Sequence, residues 1–351
     1  MKVSIGTKIK DGPWGGGNLF AINLKNHLQE KGHRVIHNLN DDDIDIILIT
    51  EPRKTSESSA FTQIDVLNYL KYINRNALVV HRINECDERK NTNYVNKYMI
   101  NANNISDYTI FVSEWLKNLY VDQGISTKNN YVVLAGANKK IFNSNGKKLE
   151  GIKNKYSIVT HHWGSNWNKG FETYTELDRL IGTEKYKDKI EFTYIGNLPK
   201  NVSFKNSSVV APLSGIRLAE EIKKHDIYLT GSLNEPSGNH HIEGAQCGLP
   251  ILYINSGGIP EYCNEFGVMF EIENFESKLN LIVDNFEKYF IKMSEYPQNS
   301  KKMCDEYLYI FEKMINNHSE IVNQRNIDLT HGMISKKIYI FLKNFKIIKN
   351  I

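Results

Sequence analysis

The sequence predicts an α/β protein of two domains, each a parallel sheet with helices on both faces. Three observations carry this reading. Short apolar runs alternate with amphipathic helix patterns over residues 1–145 and again over 156–330, the order that parallel sheets require. The polar, turn-rich stretch Ser144-Asn145-Gly146-Lys147-Lys148 separates the two series. The length, 351 residues, suits about two domains. A third segment, 331–351, reads as a C-terminal helix.

In the first half, residues 3–5 read as a strand and 11–18 as a loop containing Gly15-Gly16-Gly17. A helix over 19–30 follows, with Leu19, Ile22, Leu24 and Leu28 on one face, and Gly32 ends it. Strands are expected at 34–36 and 44–49, with Asp41-Asp42-Asp43 as a solvated turn between them. A helix at 64–73 leads to a strand at 78–80 that ends at His81. Residues 108–112, 114–123 and 131–134 continue as strand, helix and strand. The second half opens with a strand at 157–160 and a loop at 161–170. The helix after it carries Phe171, Tyr174, Leu177 and Leu180. A strand at 191–195, a helix within 213–225 and a strand at 227–229 precede a helix at 241–246 and strands at 250–254 and 267–270. Amphipathic helices run on to 316. The last helix, 334–349, puts Ile338, Phe341, Leu342 and Phe345 on one face with lysines flanking it.

Composition excludes several classes. Hydrophobic residues at 40% and charged residues at 24% describe a globular chain. A net charge of +4 is too mild to argue for nucleic acid. Cys86, Cys247, Cys263 and Cys304 lack metal-ligand spacing and read as free thiols in a reducing compartment. No apolar run is long enough to span a membrane, and the start reads as a strand rather than a signal peptide. A cytoplasmic protein is expected.

The chemistry concentrates between Asn234 and Cys263. Glu235 and Glu243 lie either side of the turn Pro236-Ser237-Gly238, and Gly248-Leu249-Pro250 stops the helix that follows. Free N–H groups at such a helix start attract an anion. A carboxylate in the first turn, Glu243, can accept hydrogen bonds from the paired hydroxyls of a ribose. His81, at the carboxyl end of a buried strand, stands where open α/β sheets bind ligands. His161 and His162 are adjacent, so on a strand they point to opposite faces, against a metal site.

The Glu-x7-Glu spacing, with its internal glycine and the Gly-Leu-Pro after it, resembles the retaining glycosyltransferases of the GT-B architecture. It is most similar to the large family that includes bacterial mannosyl- and glucosyltransferases and sucrose synthase. Val112-Ser113-Glu114 and the run from Val133 to Phe142 also resemble that family, although Ala135-Gly136-Ala137-Asn138 replaces its usual Asn-Gly-Val-Asp. The resemblance implies two Rossmann-like domains facing across a cleft, with the C-terminal helix returning to the first. It implies that Gly16 and Gly17 close over the diphosphate of a nucleotide sugar, that Lys169 grips it, and that Glu243 holds the ribose. Glu235, with the backbone of Gly238, Asn239 and His240, would hold the transferred sugar, and His81 would contact it. Catalytic roles therefore fall to His81, Glu235 and Lys169. The family commonly has an arginine where this chain has Ser165, so His161, His162 and Asn166 are expected to supply donors there.

The implied reaction transfers a sugar with retention to a hydroxyl of a glycan, lipid or other acceptor. Attack and departure share one face, and neither a metal nor another cofactor is needed. Two other readings stay open, a non-catalytic sugar-nucleotide binder and a sugar-nucleotide epimerase or hydrolase of the same architecture. The last helix either packs on the first domain or also touches an anionic membrane.

Overall fold

The computed structural model describes residues 1–351 apart from 11, 13, 14, 150, 152, 330–332 and 345–351. In the first half the strands are β1 (Lys2–Ile5), β2 (Arg34–Ile36), β3 (Ile46–Ile49), β4 (Leu78–Ile83), β5 (Tyr108–Phe111) and β6 (Asn130–Val132). The helices are α1 (Gly16–Glu30), α2 (Gln63–Tyr72), α3 (Asp87–Lys90), α4 (Val95–Asn103) and α5 (Glu114–Asp122). The second half has β7 (Tyr156–His162), β8 (Ile190–Gly196), β9 (Ser208–Val210), β10 (Ile227–Thr230), β11 (Ile251–Ile254) and β12 (Gly267–Phe270). Its helices are α6 (Phe171–Ile181), α7 (Gly215–Lys223), α8 (Asn239–Gln246), α9 (Ile259–Cys263), α10 (Phe275–Asp284), α11 (Phe286–Lys292), α12 (Ser300–Asn316), α13 (His318–Gln324) and α14 (Met333–Asn344).

Among the described residues the strands form two six-stranded sheets, ordered β2-β1-β3-β4-β5-β6 and β12-β11-β10-β7-β8-β9. Their pairings are parallel. The α/β class with two parallel sheets is therefore as the alternation predicts. The apolar run Ile46-Ile47-Leu48-Ile49 shows why. All four residues are buried, as befits a strand covered on both faces. Pairing of β7 with β8 extends from Tyr156↔Ile190 to His162↔Gly196, which carries His161 and His162 to the sheet's carboxyl edge.

The structure departs from the sequence reading where tertiary contacts decide. Strand β4 continues through His81 to Ile83, because Ile83 still pairs with Phe111. Helix α1 starts at Gly16, not Leu19, so the glycines belong to its first turn; Asp11, Pro13 and Trp14 of the expected loop lie outside the described residues. Helix α8 starts at Asn239, directly after Gly238 (φ 72°), so Glu243 falls in the second turn and not the first. The segment after β4 forms α3 and α4, which the sequence reading did not assign, although α4 buries Val95, Met99 and Ala102 at helical spacing. It is tied by the Asp87 carboxylate, which accepts from the N–H groups of Val95 (2.9 Å) and Asn96 (3.0 Å). The acidic run at 41–43 is not merely solvated, since Lys2 pairs with both Asp41 and Asp43.

The chain returns to its first half upstream of residue 331. Ser300 N–H donates to the Ala137 carbonyl at 2.8 Å, and the Tyr307 ring of α12 meets Phe20 of α1 at 5.1 Å. Arg325 then makes a bidentate ion pair with Asp107, 2.9 and 2.6 Å, with both side chains buried. Helix α14 reaches α2 through Tyr339, whose ring stacks on Tyr72 at 4.5 Å. Of the face expected to pack, Ile338 is 52% and Phe341 57% exposed. Phe345, also assigned to that face, lies outside the described residues.

Candidate functional site

A cleft of about 870 Å³ lies between the sheets. Its walls are the carboxyl ends of the strands, including Thr7 and Lys8 after β1, Arg82 and Asn84 at the end of β4, His161 and His162 at the end of β7 with Trp163 and Gly164 beyond it, and Glu235 after β10. This is where open parallel sheets bind ligands. Two helix starts converge there. Gly16, in the first turn of α1, lies so near Asn239, in the first turn of α8, that a β-carbon at 16 would stand 3.1 Å from the Asn239 side chain. Among the described residues α1 has no acidic side chain in its first turn and no side-chain cap, and the same holds for α8. Both starts therefore present unsatisfied N–H groups and positive dipole ends.

Glu235 is the hub. It is 5% exposed and takes Lys169 Nζ at 2.7 Å on one oxygen and Arg89 Nε at 2.9 Å on the other. Burial opposes its charge, but Arg89 and then Lys169 outweigh burial and hold the carboxyl well below the usual carboxylate range. Burial lowers the Lys169 ammonium from its ordinary value, with Glu235 opposing. Lys169 is aimed by Gly170, which adopts φ 102° and lies against Gly231, where a β-carbon would stand 2.6 Å from the Gly231 carbonyl carbon. Only glycine fits there, so the loop before α6 passes flush against the end of β10.

Glu243 is a second buried carboxylate, bonded to His161 Nε2 at 2.8 Å, while His161 Nδ1 meets the Tyr228 hydroxyl at 2.9 Å. His162 faces the other way, to the Tyr174 hydroxyl at 2.7 Å, as alternation on a strand requires. His240 bonds Thr230 Oγ1 at 2.8 Å. Burial lowers both His162 and His240 well below the ordinary imidazole value, so both are neutral near pH 7. Among the described residues, no group of three or more His, Cys, Asp or Glu is arranged to hold a metal ion.

The structure brings together Gly16, Gly17, Asn166, Lys169, Glu235, Gly238, Asn239, His240 and Glu243 as cleft-lining residues. It does not bring two others. His81 is fully buried, bonded to Asn103 Oδ1 at 3.0 Å, and absent from the cleft wall. The strand runs two residues past it, so His81 lies behind the strand end that faces the cleft. Ser165 is exposed and does not line the cleft either, while Asn166 beside it does. Arg89 is the residue the sequence reading missed. It comes from α3 in the first half and reaches Glu235 across the cleft. Its signal was the basic pair Arg89-Lys90 just past the polar run Arg82 to Asp87.

Comparison with family models and with curated protein sequences finds no match. Solved structures do match. A glycosyltransferase from Rickettsia africae superposes with a TM-score of 0.65 over 90% of this chain and 99% of its own, at 15% identity. Sucrose-phosphate synthase from Thermosynechococcus elongatus follows at 0.61, 13% identity, covering 90% and 99%. Anabaena HepE, determined in complex with UDP and glucose, gives 0.60 at 13% identity over 91% and 100%. The fold is thus the GT-B architecture of glycosyltransferases, two Rossmann-like halves around a cleft.

Proposed function

We propose that the protein is a metal-independent retaining glycosyltransferase that moves a sugar from a nucleoside-diphosphate sugar to a hydroxyl acceptor. The observation that carries this is the Lys169–Glu235–Arg89 assembly under two converging helix starts, with Glu243 bonded to His161 nearby. Diphosphate charge is met by Lys169, by the starts of α1 and α8, and by Arg89, which takes over from the arginine that Ser165 does not supply. Glu243 accepts from the ribose hydroxyls in place of His161. Glu235 is held ionised by two cations, so it orients the sugar and is a poor proton donor. The acceptor oxygen bonds to the anomeric carbon as the bond from that carbon to the β-phosphate oxygen breaks. The acceptor proton passes to a phosphate oxygen on the same face, which keeps the anomeric configuration. Fixed cations and dipoles stabilise the departing diphosphate with no reorganisation.

For the acceptor side, α14 supports a peripheral contact with anionic membrane. It exposes Ile338, Phe341 and Lys337, the pattern of an interfacial helix, and a lipid-linked acceptor fits this. The deciding experiment is calorimetry with UDP, GDP, ADP and dTDP and their sugars, followed by nucleotide release with glycan and lipid acceptors. Tight binding with acceptor-dependent release is expected. Binding without release under any acceptor leaves a sugar-nucleotide binder, and release without acceptor leaves a hydrolase.

A further inference from the structure

Arg82 is the unexplained cation of the cleft. It sits near the end of β4, on the first-half wall, opposite the half that carries Lys169 and Glu243. It is only 5% exposed. Its guanidinium lies 4.0 Å above the Phe20 ring of α1, close enough to the Tyr307 phenol to oppose the rise that burial causes there. Its Nε is buried with no hydrogen-bond partner. Among the described residues no carboxylate pairs with it, and three carboxylates that line the same cleft are already paired. Glu57 is taken by Lys10, Glu51 by Arg53, and Glu85 by Arg89 and Lys90. A buried arginine without an anion is strongly unfavourable, since a charge taken out of water needs a partner to offset its lost hydration. Lys8, exposed on the same wall, also has no carboxylate partner among the described residues. The first-half wall therefore carries surplus positive charge, with a planar fork of donors suited to a bidentate oxyanion.

We infer that Arg82 is the core of an oxyanion subsite on the acceptor side, and that the acceptor carries a phosphate or carboxylate group. The inference rests on the glycosyltransferase reading above, because it takes the first-half wall to be the acceptor's. Arg82 contacts the acceptor's charged group and takes no part in bond making.

The test is calorimetry of inorganic phosphate, and separately acetate, on the wild-type chain saturated with its best nucleoside diphosphate, against chloride at equal ionic strength. Arg82→Gln and Arg82→Lys follow, with folding checked by melting temperature. Saturable oxyanion binding on top of bound nucleotide is expected in the wild type. Arg82→Gln should weaken it more than tenfold, Arg82→Lys less, and both should leave nucleotide affinity within about threefold. A preference for phosphate or for acetate tells which group the acceptor bears. If Arg82→Gln weakens nucleotide as much as phosphate, the anion is the donor's own diphosphate and the inference falls. It also falls if phosphate binding survives Arg82→Gln, or if the wild type binds neither ion beyond chloride. Should both variants unfold, the wild-type titration decides alone, with additive binding supporting the subsite and competition with nucleotide overturning it. Nucleotide binding is measured first, so failure of the donor reading is recorded separately.

Discussion

At the scale of single residues, the site turns on how one carboxylate is shared. Glu235 holds Lys169 and Arg89 on separate oxygens, so under the proposed function a diphosphate would draw on cations already gathered there. Lys169→Ala and Arg89→Gln should each weaken nucleoside-diphosphate binding by the value of about one charge-assisted hydrogen bond, about 1.5–3 kcal/mol, or about 10- to 150-fold in Kd. Binding of the bare nucleoside should change little. Glu243→Gln should weaken nucleoside and diphosphate alike, because the ribose is common to both. Isothermal calorimetry of the three variants with both ligands separates these outcomes, and equal losses for Lys169→Ala would remove its phosphate role. Glu235, Glu243 and Lys169 were legible in the sequence because turn residues, a helix stop and a lysine-glycine step mark them locally. Arg89 was not, since its partner lies in the other half of the chain. The end of β4, two residues beyond His81, was not legible either, because an apolar run does not announce where its strand ends.

At the scale of elements, helix starts were the least legible feature. Both α1 and α8 begin earlier than their apolar periods suggest, because the residues that open them, glycine and asparagine, have no apolar signature. The two starts meet across the halves, Gly16 lying against the Asn239 side chain. Glu261 of α9 shows the same cross-half logic, accepting from the N–H groups of Glu114 and Trp115 at 2.7 Å each, at the start of α5. A carboxylate at a helix start stabilises it, and here it also fastens one half to the other. Helix α14 poses its own question, since Tyr339 is docked on Tyr72 while Ile338 and Phe341 face out. Flotation with anionic vesicles should carry the full chain more than a chain ending at Phe345, and added salt should reduce it. Equal, salt-insensitive flotation of the two, or none, leaves α14 only its packing role.

At the scale of the whole molecule, α/β class and two-sheet architecture were plain from the alternation, but the closure of the two halves was not. It rests on several contacts far apart in the chain, among them Arg325, whose guanidinium also donates to the carbonyls of Arg75 (2.7 Å) and Ala77 (2.8 Å). Arg325→Ala strands the buried Asp107 carboxylate and should cost about 3–5 kcal/mol, read as a fall in the urea midpoint. Acid should loosen the molecule through its histidines. Burial pushes His81 down to about 4 and His241 down to about 3. The unfolded chain therefore binds protons that the folded chain refuses. Stability is full above pH 6.5 and falls as pH drops toward 4, by about 1.4 kcal/mol per unit for each histidine. Glu235 adds its own loss only below about pH 4.5, where the unfolded carboxylate takes up protons that the folded one refuses. Urea midpoints between pH 7 and 4.5 should show this slope, and His241→Phe should lessen it by one histidine's share.

The Arg325–Asp107 pair also sets a clock for biosynthesis. Its members are 218 positions apart in the chain. At ~5–20 residues per second of translation, that separation amounts to roughly 10–45 s. Throughout that interval a nascent first half waits on the ribosome with Asp107 unmatched and the Phe20 face of α1 still lacking Tyr307. A half that looks self-contained in the finished fold is thus an orphan while it is being made, and a client for any chaperone that holds exposed aromatic surface.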